Sequence, residues 1–219
     1  MPVNVTKLNS RVLYQRAQYE KCGLGRRYWK YRDKIVMDYI EKNDKDILDL
    51  GCGEGITLEH MLKLFPGRKI QGIDILPENI LICEHHSLPA RLGNIYSLEL
   101  DEASYDVVLL LEVIEHLKHP EQSLREIHRV LRPGGKLIVV FPNDLMFLIS
   151  RLINFKFREA FYDPGHLKQW TPGDMCRLLS TYKFSVAALK CIPFHFWALS
   201  LHGIVVAKKM VNHDKTPAH

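Results

Sequence analysis

The segment 47–55, Ile-Leu-Asp-Leu-Gly-Cys-Gly-Glu-Gly, constrains the fold of this chain more than any other segment does. An apolar run leads into three glycines, Gly51, Gly53 and Gly55, which are separated by single residues. A strand that turns at once into a helix needs backbone angles that side chains obstruct, and glycine also lets a ligand approach the main chain. The segment therefore predicts a strand, a glycine loop and a helix, with a ligand bound at the loop.

A second short apolar run ends in an acid, Asp74, nineteen residues after Gly55. An acid about 20 residues beyond a glycine loop accepts hydrogen bonds from ribose hydroxyls, so the pair indicates a ligand that contains adenosine. The dinucleotide fingerprint G-x-G-x-x-G needs a glycine at the position that Ile56 occupies in this chain. The spacing counts against a NAD-dependent enzyme, and the sequence holds no G-x-x-x-x-G-K-[ST] phosphate loop.

Apolar runs and helical patterns alternate along the chain. Strands are predicted near 46–50, 70–75, 90–94, 105–111, 136–141, 184–190 and 203–209, and helices near 14–41, 56–65, 77–84, 121–130, 144–154 and 172–181. Such alternation favours an α/β fold in which helices cover both faces of a mostly parallel sheet. Ligands of these sheets bind beyond the carboxyl ends of the strands, which is where the glycine loop and Asp74 are predicted to lie.

Four motifs resemble those of the class I S-adenosylmethionine (SAM)-dependent methyltransferases, and they occur in the same order. They are the segment 49–55, Asp74, the strand 105–111 and the segment 131–137, within a resemblance that covers roughly residues 30–209. The resemblance implies a Rossmann-like, doubly wound sheet of seven mostly parallel strands, the last antiparallel, with SAM as the cofactor. It also implies a helical cap over the cofactor site at 1–40, a SAM-binding domain at 41–209 and a polar tail at 210–219.

The same resemblance implies a set of cofactor contacts. Gly51 and Gly53 let the backbone reach the methionine part of SAM, and Asp74 binds the ribose. Arg32 meets the SAM carboxylate, unless it belongs to an ordinary solvated basic face. Asn94 contacts the adenine, unless it only turns its loop. The full predicted set is Arg32, Asp49, Gly51, Cys52, Gly53, Gly55, Asp74, Ile75, Asn94, Ile95, Leu111 and Glu112.

Residues for the chemical step are expected directly after the predicted fourth strand. A helix beginning there would place Glu112 and His116 one turn apart, with Glu115 beside them. An imidazole accepts a proton near neutral pH, which makes His116 a candidate base and Glu115 its neighbour. The segment also resembles the E-x-x-E-H stretch of ubiquinone-biosynthesis O-methyltransferases, which is associated with a divalent metal. Glu112, Glu115 and His116 are therefore the metal candidates, although a purely structural role is the alternative and no metal is expected.

A second acceptor-side candidate is His166, for which a capping or packing role is the alternative. The aromatic residues near it are predicted to form a lid over an apolar acceptor. They are Phe155, Phe157, Phe161, Tyr162 and Trp170. The segment 145–158 is apolar with basic residues at its far end, so it is interpreted either as a cover of the acceptor pocket or as a contact with a membrane surface.

The net charge and the cysteine content of the chain exclude few functions, but they bear on its expected partners and location. The net charge of +5 is mild and no nucleic acid is expected, although the basic N-terminal region keeps an RNA methyltransferase as an alternative. Five scattered cysteines and an N-terminus without an apolar signal core favour a cytoplasmic protein, peripheral at a membrane surface at most. We expect a small-molecule or lipid-like acceptor methylated at oxygen, in a monomer or a homodimer. A non-catalytic, SAM-binding regulatory protein remains open.

Overall fold

The computed structural model of this chain describes Arg16, Tyr19 and residues 23–153 and 166–211, without the side chains of residues 150–153. Four of the five predicted lid aromatics, Phe155, Phe157, Phe161 and Tyr162, lie outside the described residues, as does most of the predicted polar tail. The predicted division into a cap at 1–40 and a domain at 41–209 stays a prediction.

Seven strands form one sheet in the order β3-β2-β1-β4-β5-β7-β6. The strands are β1 (Asp46–Leu50), β2 (Lys69–Asp74), β3 (Ala90–Leu92), β4 (Tyr105–Leu111), β5 (Leu131–Pro142), β6 (Phe184–Ile192) and β7 (His202–Lys209). The pairs β1–β2, β2–β3 and β4–β5 are parallel, whereas β7 runs antiparallel to both β5 and β6. The predicted α/β fold with seven mostly parallel strands is therefore confirmed.

Six helices accompany these strands in the described part of the chain. They are α1 (Leu24–Met37), α2 (Ile56–Leu64), α3 (Pro77–His85), α4 (Pro120–Val130), α5 (Asp144–Ile153) and α6 (Pro172–Thr181). Proline stands in the first turn of α3, α4 and α6, where its missing N–H has no helical partner to lose. Thr171 caps α6 because its hydroxyl accepts a hydrogen bond from the Asp174 amide at 3.2 Å.

The described residues up to Leu98 and the described residues from Glu99 onward form two compact units. In the first unit, Ile47, Leu48 and Leu50 of β1 are fully buried, as a short apolar run predicts for an inner parallel strand. Helix α2 packs against β2, and α3 packs against β2 and β3.

In the second unit, the core consists of the buried runs 107–110 of β4 and 137–141 of β5. Strand β7 pairs with β5 on one side and with β6 on the other, and α6 packs against β6 and β7. Strand β5 begins five residues before its predicted start, so the Leu-Arg-Pro-Gly-Gly segment belongs to the strand.

Candidate active site

The glycine loop between β1 and α2 has the backbone conformation that its sequence predicts. Gly51, Gly53 and Gly55 have φ angles of 73°, 54° and 75°, in the left-handed region that residues with side chains avoid. The amides of Gly51 and Cys52 both donate to the Ile73 carbonyl oxygen, at 2.7 and 3.1 Å. These bonds hold the loop at the end of β2. The backbone reasoning is confirmed, and contact of these glycines with a ligand stays a prediction.

Asp74 joins the glycine loop to the start of α3. Its Oδ2 accepts a hydrogen bond from the Gly53 amide at 2.8 Å, and its Oδ1 accepts from the Leu76 amide at 2.9 Å and from Asn79 Nδ2 at 3.1 Å. An ionised carboxylate has about four acceptor sites, so three of them are occupied. A ribose that donated to both Asp74 carboxylate oxygens would have to displace one of these three donors. The Asn79 side-chain amide is the donor that can rotate away.

Asp49 is a buried acid at the end of β1, with 2% of its surface exposed. Burial, together with the negative charges of Asp33 and Asp74, raises the pKa of Asp49 to about 7. Arg32 opposes this shift but does not cancel it. Asp49 is therefore close to half-protonated at neutral pH, and a nearby cation would favour its ionised form.

Arg32 is buried on α1, so the solvated basic face predicted as its alternative is wrong for this residue. Its guanidinium donates to Asp33 Oδ1 at 2.7 Å and lies 4.2 Å from the centre of the Trp29 ring. Asp33 Oδ2 lies 3.2 Å from His60 Nδ1, and Tyr19 completes the chain at 3.0 Å from His60 Nε2. Burial opposes ionisation of Asp33, but the hydrogen bonds from His60 and Arg32 lower its pKa. Sequence reasoning missed Asp33 and His60, and binding of the SAM carboxylate by Arg32 stays a prediction.

The two predicted adenine contacts lie in exposed positions. Ile75 is 62% exposed after β2, as a hydrophobic ring contact would require. Asn94 turns its loop, since its Oδ1 accepts from the Tyr96 amide and its carbonyl accepts from the Ser97 amide, both at 3.0 Å. Ile95 beside it is partly buried. The turn that was the alternative for Asn94 is present, and its contact with adenine stays a prediction.

In the second unit, the predicted helical turn at residues 112–116 is wrong. Only a short 3₁₀ turn, Ile114–His116, forms there, and Glu112 precedes it with a φ angle of 55°. Its carboxylate Oε1 lies 3.0 Å from Nε2 of the fully buried His202. Glu112 therefore pairs with β7 instead of standing one turn from His116. Leu111, also a predicted contact, is partly buried at the end of β4.

Glu115, His116 and His166 come together despite the long separation of His166 in sequence. Their potential ligand atoms all lie within 4.8 Å of one another. The Glu115 carbonyl oxygen accepts hydrogen bonds from the Leu167 and Lys168 amides at 2.8 and 3.3 Å, which holds this segment in place. The His116 and His166 rings meet edge to face, with centres 4.8 Å apart. Two of the three predicted metal candidates thus gather with His166, and Glu112 is not among them.

Asp144, which sequence reasoning missed, orients one of these histidines. Its Oδ1 lies 2.8 Å from His166 Nδ1, so Nε2 is the basic nitrogen of the neutral ring when Nδ1 carries the hydrogen. The only sequence signal was an acid directly after an apolar strand, because Asp144 follows β5 by two residues.

Glu115 is a buried acid whose carboxylate oxygens have no hydrogen-bond partner among the described residues. Burial raises its pKa to about 9, and the negative charges of Glu112 and Asp144 add to the shift. Glu115 is therefore neutral at pH 7. Buried, unsatisfied acids with strongly shifted pKa values are concentrated at functional sites, because such groups cost stability without a ligand.

The cluster of Glu115, His116, His166 and Asp144 supports two kinds of chemistry. Its imidazoles can accept a proton from a substrate hydroxyl. One carboxylate and two imidazoles also match the ligand preferences of a borderline divalent cation, and Asp144 behind His166 matches the carboxylate–histidine arrangement that orients metal ligands. The donor set thus fits a divalent ion.

Residues 48–139 match the methyltransferase domain family. A probable SAM-dependent methyltransferase of Mycolicibacterium smegmatis is 31% identical over 163 residues, which are 73% of this chain and 60% of that protein. The mitochondrial ubiquinone biosynthesis O-methyltransferase of Mus musculus is 38% identical over 134 residues, 57% of this chain and 36% of that protein. This chain therefore spans less than two thirds of the length of either relative.

Solved structures show the same fold. The crystal structure of a SAM-dependent methyltransferase from Archaeoglobus fulgidus matches with a TM-score of 0.67 at 19% identity, over 92% of this chain and 100% of that chain. Within the described part of this chain, no helix combines the length and the apolar character that crossing a bilayer needs.

Proposed function

We propose that this protein transfers the methyl group of SAM to an oxygen atom of a small or lipid-like acceptor. The observation that carries the choice of oxygen is the Glu115–His116–His166 cluster with Asp144 behind it. A hydroxyl acceptor must lose a proton during methylation, and an oriented histidine is a suitable recipient. Two further facts support the proposal: the match to the methyltransferase domain, and the similarity to a protein named as an O-methyltransferase of ubiquinone biosynthesis.

The first unit supplies the groups for the cofactor. In this proposal Asp74 binds the ribose hydroxyls, and the glycine backbone at Gly51 and Gly53, which carries no side chains, lets the methionine part of SAM approach. Asp49 would gain its charge as the SAM ammonium group approached, because a neighbouring cation lowers the pKa of a carboxyl group. The Arg32 guanidinium is the candidate for the SAM carboxylate, since its planar fork suits such an ion.

The second unit supplies the groups for the acceptor. SAM is already activated as a sulfonium, so the protein must align the acceptor oxygen with the methyl group and remove one proton. Because Asp144 holds His166 at Nδ1, Nε2 of His166 is the proton acceptor in this proposal. The neutral Glu115 supplies a proton donor beside the two rings. Glu115, His116 and His166 would also hold a divalent ion, which would supply Lewis-acid activation of a bound hydroxyl.

An apolar surface in the second unit supports a lipid-like acceptor. Helix α5 is tied to the β6–β7 connection because Asn143 Nδ2 donates to the Trp197 carbonyl oxygen at 2.9 Å. Four large apolar side chains around this tie are more than half exposed, namely Leu145, Phe194, Phe196 and Leu199. An exposed apolar patch of this kind is suited to a membrane surface.

Phe196→Ser should lower co-flotation of the protein with phospholipid vesicles. Unchanged co-flotation would refute the proposed contact of this patch with a membrane.

Calorimetry with SAM, S-adenosylhomocysteine and NAD tests the cofactor part of the proposal. Binding of both adenosyl compounds without binding of NAD is expected, and failure to bind either of them would overturn the proposal. The acceptor part is tested by methylation of catechol and hydroquinone, with and without magnesium or zinc, followed by mass spectrometry. A product methylated at oxygen is expected.

The variant His166→Gln tests the proton acceptor. It should lower turnover about 100-fold or more, because a positioned base contributes on that scale, while affinity for S-adenosylhomocysteine stays unchanged. The matched control is His85→Gln, since His85 is an exposed histidine outside the cluster and outside the apolar surface. A loss of turnover that follows an equal loss of cofactor affinity would refute the acceptor-side role of His166.

A further inference from the structure

Two free cysteines meet at the glycine loop. Cys52 lies within the loop, and Cys83 lies on α3, thirty-one residues later. The Gly53 carbonyl oxygen is 3.5 Å from the Cys83 sulfur and 3.9 Å from the Cys52 sulfur. Both thiols donate to this one oxygen, so the two sulfurs lie close together. The fold therefore places two thiols side by side at a position that the sequence pattern of scattered cysteines did not suggest.

The two sulfurs fill the space between the loop, β2 and α3. A Cβ atom on Gly55 would lie 2.8 Å from the Cys83 sulfur, and one on Gly72 would lie 2.7 Å from the Cys52 sulfur. Both contacts are shorter than any side chain tolerates, so each sulfur packs directly on a glycine backbone. Cys83 is fully buried, and Cys52 retains 8% exposure on the side of the loop.

The pair is chemically unequal. The neighbouring Cys52 thiol, together with the positive charge of Arg16, lowers the pKa of Cys83, whereas the pKa of Cys52 is raised. Cys83 is thus the thiol that ionises more readily, and we assign it as the nucleophile and Cys52 as the resolving thiol. The route for a small oxidant is the partly exposed backbone of Gly51 and Gly53 beside Cys52.

We propose that Cys52 and Cys83 are a reversible oxidation site, at which hydrogen peroxide forms a disulfide that weakens the binding of SAM at the glycine loop. This inference rests on the proposed binding of SAM at that loop. The Cys83 thiolate attacks one peroxide oxygen, the O–O bond breaks, and a sulfenic acid and one water result after protonation. The Cys52 sulfur then attacks the sulfenic sulfur, the S–O bond breaks, and the hydroxide leaves as water with the Cys52 proton. The two thiols lose two electrons and two protons, and the peroxide is reduced to two waters.

The disulfide would act on SAM through the backbone that holds Asp74. Covalent contact of the sulfurs requires the Cys52 side chain to move toward α3, away from its place beside the Gly53 carbonyl. The Gly53 amide donates to Asp74 at 2.8 Å, so a shift of this peptide displaces the predicted ribose-binding acid from its partner. We expect affinity to fall about tenfold or more, within the usual range of coupling between two sites. Because such coupling is reciprocal, bound SAM should slow the oxidation.

The test uses the reduced full-length protein, hydrogen peroxide and S-adenosylhomocysteine as the probe. Peptide mapping without reductant should find a Cys52–Cys83 cross-link, calorimetry should find the weakened affinity, and dithiothreitol should restore it. Cys83→Ser should bind the probe like the wild type and keep its affinity after peroxide. Cys191→Ser, which removes another buried thiol, should remain sensitive to peroxide.

Two results would overturn the inference while leaving the proposed function intact. One is the absence of the Cys52–Cys83 cross-link from the peroxide-treated wild type. The other is a cross-linked protein that binds the probe as tightly as the reduced protein. If the reduced wild type does not bind S-adenosylhomocysteine at all, the proposed function fails and this inference fails with it. The mapping on the wild type decides the chemistry even if Cys83→Ser does not fold.

Discussion

Gly55→Ala should destabilise the protein more than the positive φ angle at this position alone would explain. Gly55 has a φ angle of 75°, which costs a residue with a Cβ atom about 1–2 kcal/mol. The added Cβ would also lie 2.5 Å from Leu88 Cδ1 and 2.8 Å from the Cys83 sulfur, inside a packed core. Overpacking of this kind costs about 1–3 kcal/mol more. The expected loss in the free energy of unfolding is therefore about 2–5 kcal/mol.

The matched control is Gly67→Ala in the same unit. Gly67 has a φ angle of 81° but no atom within 4 Å of the position of a Cβ, so it carries the backbone strain without the collision. Urea denaturation followed by circular dichroism should show a loss of about 1–2 kcal/mol for the control, leaving about 1–3 kcal/mol for packing at Gly55. Equal destabilisation by the two variants would refute the close approach of Leu88 and Cys83 to the loop.

Three further predictions concern the acids Asp49, Glu112 and Asp144. Folding raises the pKa of Asp49 to about 7, so the contribution of Asp49 to stability is present below pH 4 and is lost as pH rises to 7. The free energy of unfolding of Asp49→Asn should therefore rise relative to that of the wild type by up to roughly 4 kcal/mol over this interval, as measured by urea denaturation at each pH. Glu112→Ala should cost about 1–3 kcal/mol in the same assay by removing the carboxylate that lies 3.0 Å from the fully buried His202, and Glu112→Gln should recover most of this loss. Asp144→Asn should lower turnover with unchanged affinity for S-adenosylhomocysteine, because it disturbs only the orientation of His166; an equal fall in affinity would contradict that role.

Local sequence rules were sufficient for most of the fold. Strand β1 was predictable because a short apolar run before glycines has few alternatives, and the start of α6 was predictable from a threonine cap followed by proline. Even the short β3 was predicted, within two residues of its end. Helix α1 ends at Met37, four residues before its predicted end, because the helical pattern alone carries no stop signal there.

The errors concern residues whose conformation depends on distant parts of the chain. Glu112 adopts a left-handed backbone that no propensity assigns to glutamate, and it faces His202, ninety residues away. His166 lies near Glu115 because the amides of the next two residues, Leu167 and Lys168, donate to the Glu115 carbonyl oxygen, which a pattern of side chains does not reveal. The Cys52–Cys83 contact depends on the packing of α3 against the glycine loop. In each case a tertiary contact, not a local preference, decides the outcome.

The two acids with the largest shifts, Asp49 and Glu115, follow the same physical logic within their separate units. Each lies within four residues of the carboxyl end of an inner strand, each is almost fully buried, and each has its pKa raised by burial first and by neighbouring acids second. A hydrophobic residue at either position would avoid the loss of hydration that burying a carboxyl group entails. A bound state in which a positive or proton-accepting group stands next to each acid would offset this loss. For Asp49 that group is the ammonium of SAM in the proposed function, and for Glu115 it is the pair of imidazoles or a divalent ion. The acids that weaken the unliganded protein are thus the ones that a ligand would stabilise.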